Sequence, residues 1–211
     1  MAVIQKHKGN FLEDFRVNQV LRHKVGKTVT EGHFSTLTEF AMTTNPLSKN
    51  RRYAHRYGFR DMPMPPGMVM NVVFSQSVED ISENARANLE YINMRFGAPV
   101  YLGDTLEVSS VVLGVKPSSR DNDRGIVHVQ TTGRNQNGEV VLTFERKVQV
   151  WKRDVNVTVD AAQAERAPVV ECTPYLPPYN PDAHYGDLAH LTSDDTYFED
   201  FNAGDTICLL Y

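Results

Sequence analysis

The fold of this chain is decided by residues 66–74, which read Pro-Gly-Met-Val-Met-Asn-Val-Val-Phe. Proline suits the first position of a helix, because its missing N–H would have no acceptor there. The following residues are apolar on nearly every side, and Val78 and Ile81 continue the pattern. A helix that is apolar all round must be enclosed by other elements. The β-branched residues leave a buried strand as the alternative, but the length and the proline start favour a central buried helix.

Strand patterns follow this helix without interruption. Alternation or β-branched enrichment marks residues 89–96, 105–115, 125–133 and 140–151. Asn137-Gly138 is a hairpin signal before the last of them. Because no helical pattern intervenes, the four strands are expected to form an antiparallel meander. The sequence therefore predicts an α+β fold, in which an antiparallel sheet wraps around the buried helix.

Shorter elements are predicted upstream of the central helix. Residues 17–29 read as a strand and residues 49–57 as a short helix. Between them Thr30 is a predicted N-cap, with His33 where a capping box has Glu or Gln. The helix should end near Thr44, because the proline of Asn45-Pro46 disfavours helical geometry before it. Its apolar face is expected to consist of Phe34, Leu37, Phe40 and Ala41.

A short repeat defines the domain organisation. Residues 12–15, Leu-Glu-Asp-Phe, return as residues 198–201, Phe-Glu-Asp-Phe, with 186 positions between Phe15 and Phe201. We expect one complete domain at residues 10–152, a proline-rich linker at 153–196, and the first strand of a truncated second copy at 197–211. The chain stops inside an apolar, strand-like run, as an interrupted copy would. A coincidental four-residue match is the alternative.

The composition and charge of the chain limit the classes of function that we expect. The formal charge is −4 and the pI about 6.0, which gives no reason to expect nucleic acid or an anionic membrane as partner. Only Cys172 and Cys208 are present, and the seven histidines are scattered, so neither a disulfide framework nor a metal site is indicated. Without a secretory signal or a run of about 20 apolar residues, a soluble protein of the reducing cytoplasm is expected.

Several motifs resemble the MaoC-like hydratases and dehydratases, a branch of the hot-dog fold. The resemblance rests on residues 30–32, 44–47, 67–68, 96–100 and 103–106, in that order. Residues 10–15 and 80–89 are similar to the mesaconyl-CoA hydratase branch, whose chains hold two hot-dog halves. The resemblance implies a hydro-lyase that adds water reversibly to the double bond of a short branched or dicarboxylic enoyl-CoA. Coenzyme A would enter as part of the substrate, with no separate cofactor, and the partner would be the second half or another copy of the chain.

The resemblance also implies that this half lacks the catalytic residues. Such enzymes need a carboxylate and an imidazole to move protons. In the family the Asp lies two residues before Asn-Pro-Leu and the His directly after it, but here those positions hold Thr43 and Ser48. The chain alone is therefore expected to be inactive, with the Asp/His pair in the second copy. The residues expected to bind substrate are Asn45, Gly67, Met68 and Arg95.

Alternatives remain open from the residues themselves. His33 and His55 are either displaced bases or ordinary histidines at helix ends. A basic cluster either grips the phosphates of coenzyme A or forms a solvated face; it consists of Lys49, Arg51, Arg52, Arg56 and Arg60. Asp104 is expected to stabilise its own turn. The alternative function is a non-catalytic hot-dog module that binds a thioester; a thioesterase is disfavoured because residues 68–75 offer no carboxylate.

Overall fold

The computed structural model describes residues 8–178, 198–200 and 202–205. The strands are β1 Val20–Arg22, β2 Lys27–Thr28, β3 Ala85–Phe96, β4 Thr105–Pro117, β5 Arg124–Arg134, β6 Val140–Trp151 and β7 Ala162–Gln163. The helices are α1 Glu31–Phe40, α2 Arg51–Arg56 and α3 Pro66–Ser77, and a π-helical turn, Val78–Ser82, extends α3. Short 3₁₀ turns occupy Leu12–Asp14, Pro46–Ser48 and Phe198–Asp200. No helix in these ranges is long and apolar enough to cross a bilayer.

The predicted central helix is confirmed, and the sheet covers one side of it. α3 begins at Pro66, and its buried residues are Met68, Val69, Val72, Val73 and Ser77. On the other side Asn71 is exposed, while Met70 and Phe74 are only half-buried. Because these large apolar side chains remain partly open to solvent, the chain encloses its central helix incompletely.

The sheet is antiparallel, but the predicted meander is wrong for one strand. The strand order is β1-β4-β5-β6-β3, so β3 pairs with β6 rather than with its sequence neighbour β4. The connection after β3 is pinned to β6, since the N–H groups of Gly97 and Ala98 donate to the carbonyls of Val141 and Val140. It then passes the start of α3 to reach β4. This path leaves β3 at the edge of the sheet.

The core divides into two apolar clusters with polar residues between them. The first contains Val73, Leu106, Val108, Leu142 and Phe144 among its members, and the second contains Leu12, Ile81, Val112, Val129, Val148 and Val150. Side chains on α3, β4, β5 and β6 lie at the boundary, and His23 joins them from beyond β1. We call the set His23, Ser77, Asp80, Ser110, Thr131 and Arg146 the polar layer; all but Asp80 are buried.

Two upstream predictions need correction. α1 ends at Phe40, and Phe40 and Ala41 are exposed instead of packed. The buried positions that the structure describes are Phe34 and Thr38. Phe40 follows Phe34 by six residues, which at 100° per residue places it about 120° away around the helix. The predicted strand 17–29 is found as β1 and β2, separated where Val25 adopts a φ of 63°.

The described segment after β6 crosses the surface of the domain. β7 pairs with β4, and the Tyr175 hydroxyl donates to the carbonyl of Gly58 across 3.2 Å. The predicted boundaries at 153, 196 and 197 stay predictions. Most of residues 197–211, including the predicted strand, lie outside the described residues.

The described part of the second repeat has the same local geometry as the first. Both copies form a 3₁₀ turn, Leu12–Asp14 and Phe198–Asp200. After the first, the Arg16 N–H donates to the Gln19 side chain at 2.9 Å. After the second, the Asn202 N–H donates to the Asp205 side chain at 2.6 Å, and these two residues are again 186 positions further on. The similarity therefore extends from sequence to backbone conformation.

Candidate functional site

A largely apolar cavity of about 210 Å³ lies at the start of α3. Its walls combine the Pro46–Ser48 turn, the first turn of α3 and the segment that follows β3. The lining residues are Asn45, Leu47, Ser48, Phe59, Pro63, Met64, Pro66, Val69, Phe96, Gly97, Ala98, Pro99, Val100, Val141 and Tyr175. Two of the motifs that carried the family resemblance, residues 44–47 and 96–100, thus meet around one cavity, which we call the α3 cavity.

The two positions expected for the acid and the base carry no free proton-transfer group. Ser48 is buried, and its hydroxyl donates to the Pro63 carbonyl at 2.7 Å. Thr43 is half-buried and does not line the α3 cavity. Asn45 lines the cavity, but its side-chain oxygen accepts the Leu47 N–H at 3.0 Å and caps the turn. Hydroxyl and amide groups in these arrangements hold the backbone and have no activating partner.

The other residues expected to bind substrate are spread over three places. Gly67 follows the cavity residue Pro66 but is exposed, and no heavy atom lies within 4 Å of the position that a Cβ would take. Met68 is packed in the first apolar cluster. Arg95 is exposed and lines a different cavity of about 180 Å³, beside Thr143 and Glu145. The structure brings only Asn45 and the start of α3 together, and the role of all four in binding stays a prediction.

A wider, more polar cavity of about 480 Å³ adjoins the α3 cavity. The two share Phe59, Ala98, Pro99 and Tyr175 as walls. Of the predicted basic cluster, only Arg60 reaches it, next to His55. Arg60 donates to Asp104 at 3.1 Å and lies 4.2 Å from the centre of the Tyr101 ring.

Most of the basic cluster is paired or exposed. Arg51 forms an ion pair with Asp61 at 2.6 Å, and this pairing lowers the pKa of the Asp61 carboxyl. Lys49 lies 3.6 Å from Glu39, and Arg52 is exposed. These contacts favour the reading of the cluster as a solvated face.

The histidines near the motifs and the turn aspartate have structural partners. His33 accepts the Thr30 N–H on Nδ1 at 3.0 Å, so it completes the predicted cap in place of Glu or Gln. Nε2 of His55 lies 3.0 Å from the carbonyl oxygen of Arg60. Asp104 accepts the Tyr101 N–H at 2.8 Å, so it holds its own turn, as predicted. Within the described ranges no group of three potential ligands could hold a metal ion.

The polar layer was missed by sequence reasoning. Nδ1 of His23 lies 2.7 Å from Asp80 Oδ2, and its Nε2 lies 2.8 Å from the Ser110 hydroxyl. Ser110 bonds in turn to Thr131 at 2.8 Å. Burial is the main cause that lowers the pKa of His23, and the nearby charge of Arg146 acts in the same direction. The neutral imidazole therefore donates to Asp80 and accepts from Ser110.

This arrangement predicts that acid destabilises the domain through His23. The pKa of His23 is lower in the folded state than in the unfolded chain, where it is about 6.5. Below that pH the unfolded chain binds a proton at His23 more readily than the folded domain does. The free energy of unfolding should therefore decrease as the pH falls below about 6.5. Urea titrations from pH 8 to pH 5 should show this loss. The His23→Gln variant should flatten the dependence, whereas exposed His55→Gln should retain it; equal slopes in both variants would contradict the assignment.

Two solved structures define the class of protein. One is a MaoC domain protein dehydratase from Chloroflexus aurantiacus, with a TM-score of 0.78 and 35% identity over 96% of this chain and 57% of that chain. The other is a Mycobacterium tuberculosis protein described as a double hot-dog fold, with a TM-score of 0.67 and 21% identity over 79% of this chain and 53% of that chain. The second shows the fold alone. The chain has a hot-dog fold of the MaoC-like hydratase and dehydratase class.

Its particular family follows from the sequence. A family model described as mesaconyl-CoA hydratase matches residues 2–207. A β-methylmalyl-CoA dehydratase from Chloroflexus aurantiacus is 38% identical over 94% of this chain. The chain belongs to the mesaconyl-CoA hydratase family. It spans little more than half the length of that relative, 56%.

Proposed function

We propose that this chain is the substrate-binding half of a hydro-lyase that adds water reversibly to a short branched or dicarboxylic enoyl-CoA such as mesaconyl-CoA. The half would hold the thioester, and a second hot-dog copy would supply the catalytic Asp and His. Water would add its oxygen to the β-carbon and a proton to the α-carbon of the thioester. Coenzyme A would take part only as a portion of the substrate, and the enzyme would work in the cytoplasm.

The α3 cavity is the observation that carries the proposal. It keeps the Asn45 element, the start of α3 and the glycine-containing segment 96–100, yet no carboxylate or imidazole is among the side chains that line it. An apolar cavity without an acid or a base can hold the pantetheine group of a thioester but cannot transfer a proton to carbon. Binding without chemistry is what this geometry supports.

The second copy is supported by the repeat. Residues 198–200 form the same 3₁₀ turn as residues 12–14, and the hydrogen bond after it is repeated at Asn202. The family relative is longer than this chain, since the match covers 56% of it. Both observations favour a second hot-dog half that begins near residue 197.

The free edge of β3 offers a surface for that half or for another copy. β3 has twelve residues, and within the described part of the chain it pairs with β6 alone. Leu89, Tyr91 and Met94 remain exposed along it. Unpaired backbone groups beside exposed apolar side chains are a template for strand addition. Docking there would also cover the half-buried Met70 and Phe74 of α3.

The second candidate is a thioester-binding module without catalysis. The specific observation in its favour is that the Ser48 hydroxyl donates its proton to the Pro63 carbonyl at 2.7 Å and is therefore not available for proton transfer to a substrate. The two candidates share the binding step and differ only in whether a second copy performs the reaction.

The test is hydration by the complete polypeptide, expressed from the gene through to its stop codon. We expect mesaconyl-CoA to lose the absorbance of its conjugated thioester as β-methylmalyl-CoA forms, and the intact mass to exceed 23.8 kDa. A complete polypeptide that binds mesaconyl-CoA by calorimetry without hydrating it would favour the binding module. Neither binding nor hydration would overturn both candidates.

A further inference from the structure

We propose that Arg146 is a specificity-determining residue, which binds the free carboxylate of a dicarboxylic acyl group. The inference rests on the proposed function and adds a residue that selects the acyl class. It comes from the polar layer, which lies at the opposite end of α3 from the α3 cavity.

Arg146 occupies an unusual place for an arginine. It lies on the helix-facing side of β6, between Phe144 of the first apolar cluster and Val148 of the second, and it is 0% exposed. Burial lowers the pKa of its guanidinium to about 10, so the group is still charged at neutral pH. A buried charge costs stability unless a counter-charge and full hydrogen bonding compensate for it.

The described residues supply only part of the counter-charge and hydrogen bonding that the buried Arg146 guanidinium requires. Among the described residues no carboxylate lies within ion-pair distance of Arg146, and the carboxylate of the polar layer, Asp80, is bonded to His23. Nη2 donates to the Ser77 hydroxyl at 3.0 Å, and Nη1 reaches the Asn88 side chain only at 3.5 Å. Nε is buried and has no hydrogen-bond partner. Tyr91 also forms a hydrogen bond with the guanidinium, so Nε is the donor that lacks an acceptor.

The guanidinium is held in a fixed orientation. Its central carbon lies 4.8 Å from the centre of the Phe74 ring, as in a cation–π contact. Tyr91 interacts with it as well, and the Tyr91 ring packs against Phe74 and Phe144. A planar guanidinium with an unpartnered Nε, fixed by packing on one face, can bind a carboxylate through Nε and a neighbouring Nη.

An acyl group would reach Arg146 along the β3 edge. Tyr91 and Asn88, the β3 residues nearest Arg146, are both exposed. β3 begins beside the end of α3 and finishes beside its start, since Phe96 and Pro66 line the same cavity. An equivalent strand that pairs antiparallel with β3 would therefore bring the start of its own central helix to the Arg146 end of this half. The acyl group would then extend from the second copy toward Arg146.

The experiment uses two saturated thioesters that cannot be hydrated. 2-Methylsuccinyl-CoA carries the free carboxylate, and 2-methylbutyryl-CoA has a methyl group in its place. Calorimetry on the complete polypeptide should show that wild type prefers the first. Arg146→Met should weaken its binding by about 10- to 100-fold, because hydrogen bonds to a charged group are lost, and change the second by less than about threefold.

The control is Arg120→Met, an exposed arginine in the β4–β5 loop, which should leave both affinities unchanged. If Arg146→Met does not fold, Arg146→Lys keeps the charge but loses the fork, and should still reduce the preference. The inference is overturned if the wild type binds the two thioesters equally well. It is also overturned if Arg146→Met changes both affinities equally or changes neither. In these cases hydration of mesaconyl-CoA would continue, so the proposed function would stand. A loss of stability with unchanged preference would assign Arg146 to a structural role in the polar layer. Failure of hydration and of all thioester binding would overturn the proposed function itself.

Discussion

Residues 1–196 on their own are expected to hydrate mesaconyl-CoA no faster than the buffer does. Thr43 and Ser48 stand at the two positions that the resemblance assigns to the acid and the base, and the Ser48 hydroxyl is bonded to Pro63. General acid–base catalysis contributes about 10²–10⁴-fold per group, so the fragment should fall at least about 10⁴-fold below the complete polypeptide. Initial rates, measured on a fragment that circular dichroism shows to be folded, check this.

The Thr43→Ala substitution tests whether the low turnover of the fragment comes from the absent second copy or from a change within this half. Thr43→Ala in the complete polypeptide should keep turnover within about twofold of wild type, because a threonine that does not line the α3 cavity contributes no proton transfer. Fragment turnover that disappears in His33→Ala or His55→Ala would instead show that a displaced histidine acts as the base. The structure argues against this, since both imidazoles are bonded to backbone groups at helix ends.

The parts of the fold that depend on local pattern could be predicted. The helix at Pro66 and the strands β4, β5 and β6 follow from apolar periodicity and turn residues, which are short-range signals. The place of β3 could not be predicted in this way. It depends on hydrogen bonds between Gly97 and Val141, which lie far apart in sequence, and pairing partners leave little trace in the pattern of either strand.

The residues of the candidate site likewise include some that the sequence indicated and some that it did not. Motif resemblance indicated Asn45 and the start of α3, which do meet at the α3 cavity. Arg146 had a readable signal, because it interrupts the inward-facing alternation between Phe144 and Val148. The pairing of His23 with Asp80 had none, since 57 residues separate them and only the folded chain brings them together.

The α3 cavity persists without catalytic side chains because backbone bonds hold its walls. The Met64 N–H donates to the Val100 carbonyl at 2.7 Å, and the Gly97 N–H donates to the Val141 carbonyl at 3.0 Å. The Ser48 hydroxyl ties the remaining wall to Pro63. Replacement of an Asp or a His by a small hydroxyl residue removes chemistry from such a site but leaves its shape. Under the proposed function, a half without its own acid and base would therefore keep the shape of its cavity.

Gly97 is the wall residue whose substitution should have the largest effect on stability. A Cβ at this position would lie 2.2 Å from the Val140 carbonyl oxygen and 3.1 Å from the Cys172 sulfur. The first neighbour is backbone of the paired strand β6 and cannot rotate away, so Gly97→Ala must displace the segment after β3. Overpacking of this kind costs about 1–3 kcal/mol, and we expect a loss near the upper end in the free energy of unfolding measured by urea titration. The displaced segment should also weaken thioester binding, because residues 96–100 form a wall of the α3 cavity.

Gly67→Ala is the matched control for this prediction. It adds the same methyl group at the same end of α3, but no heavy atom lies within 4 Å of its position. Stability should stay equal or rise by up to about 1 kcal/mol, because alanine loses less backbone freedom than glycine on entering a helix. Equal losses in the two variants would contradict the assignment of the effect to the clash with the Val140 carbonyl. A loss confined to Gly97→Ala would locate the effect in the contact between the segment after β3 and β6, the same contact that sets β3 at the edge of the sheet.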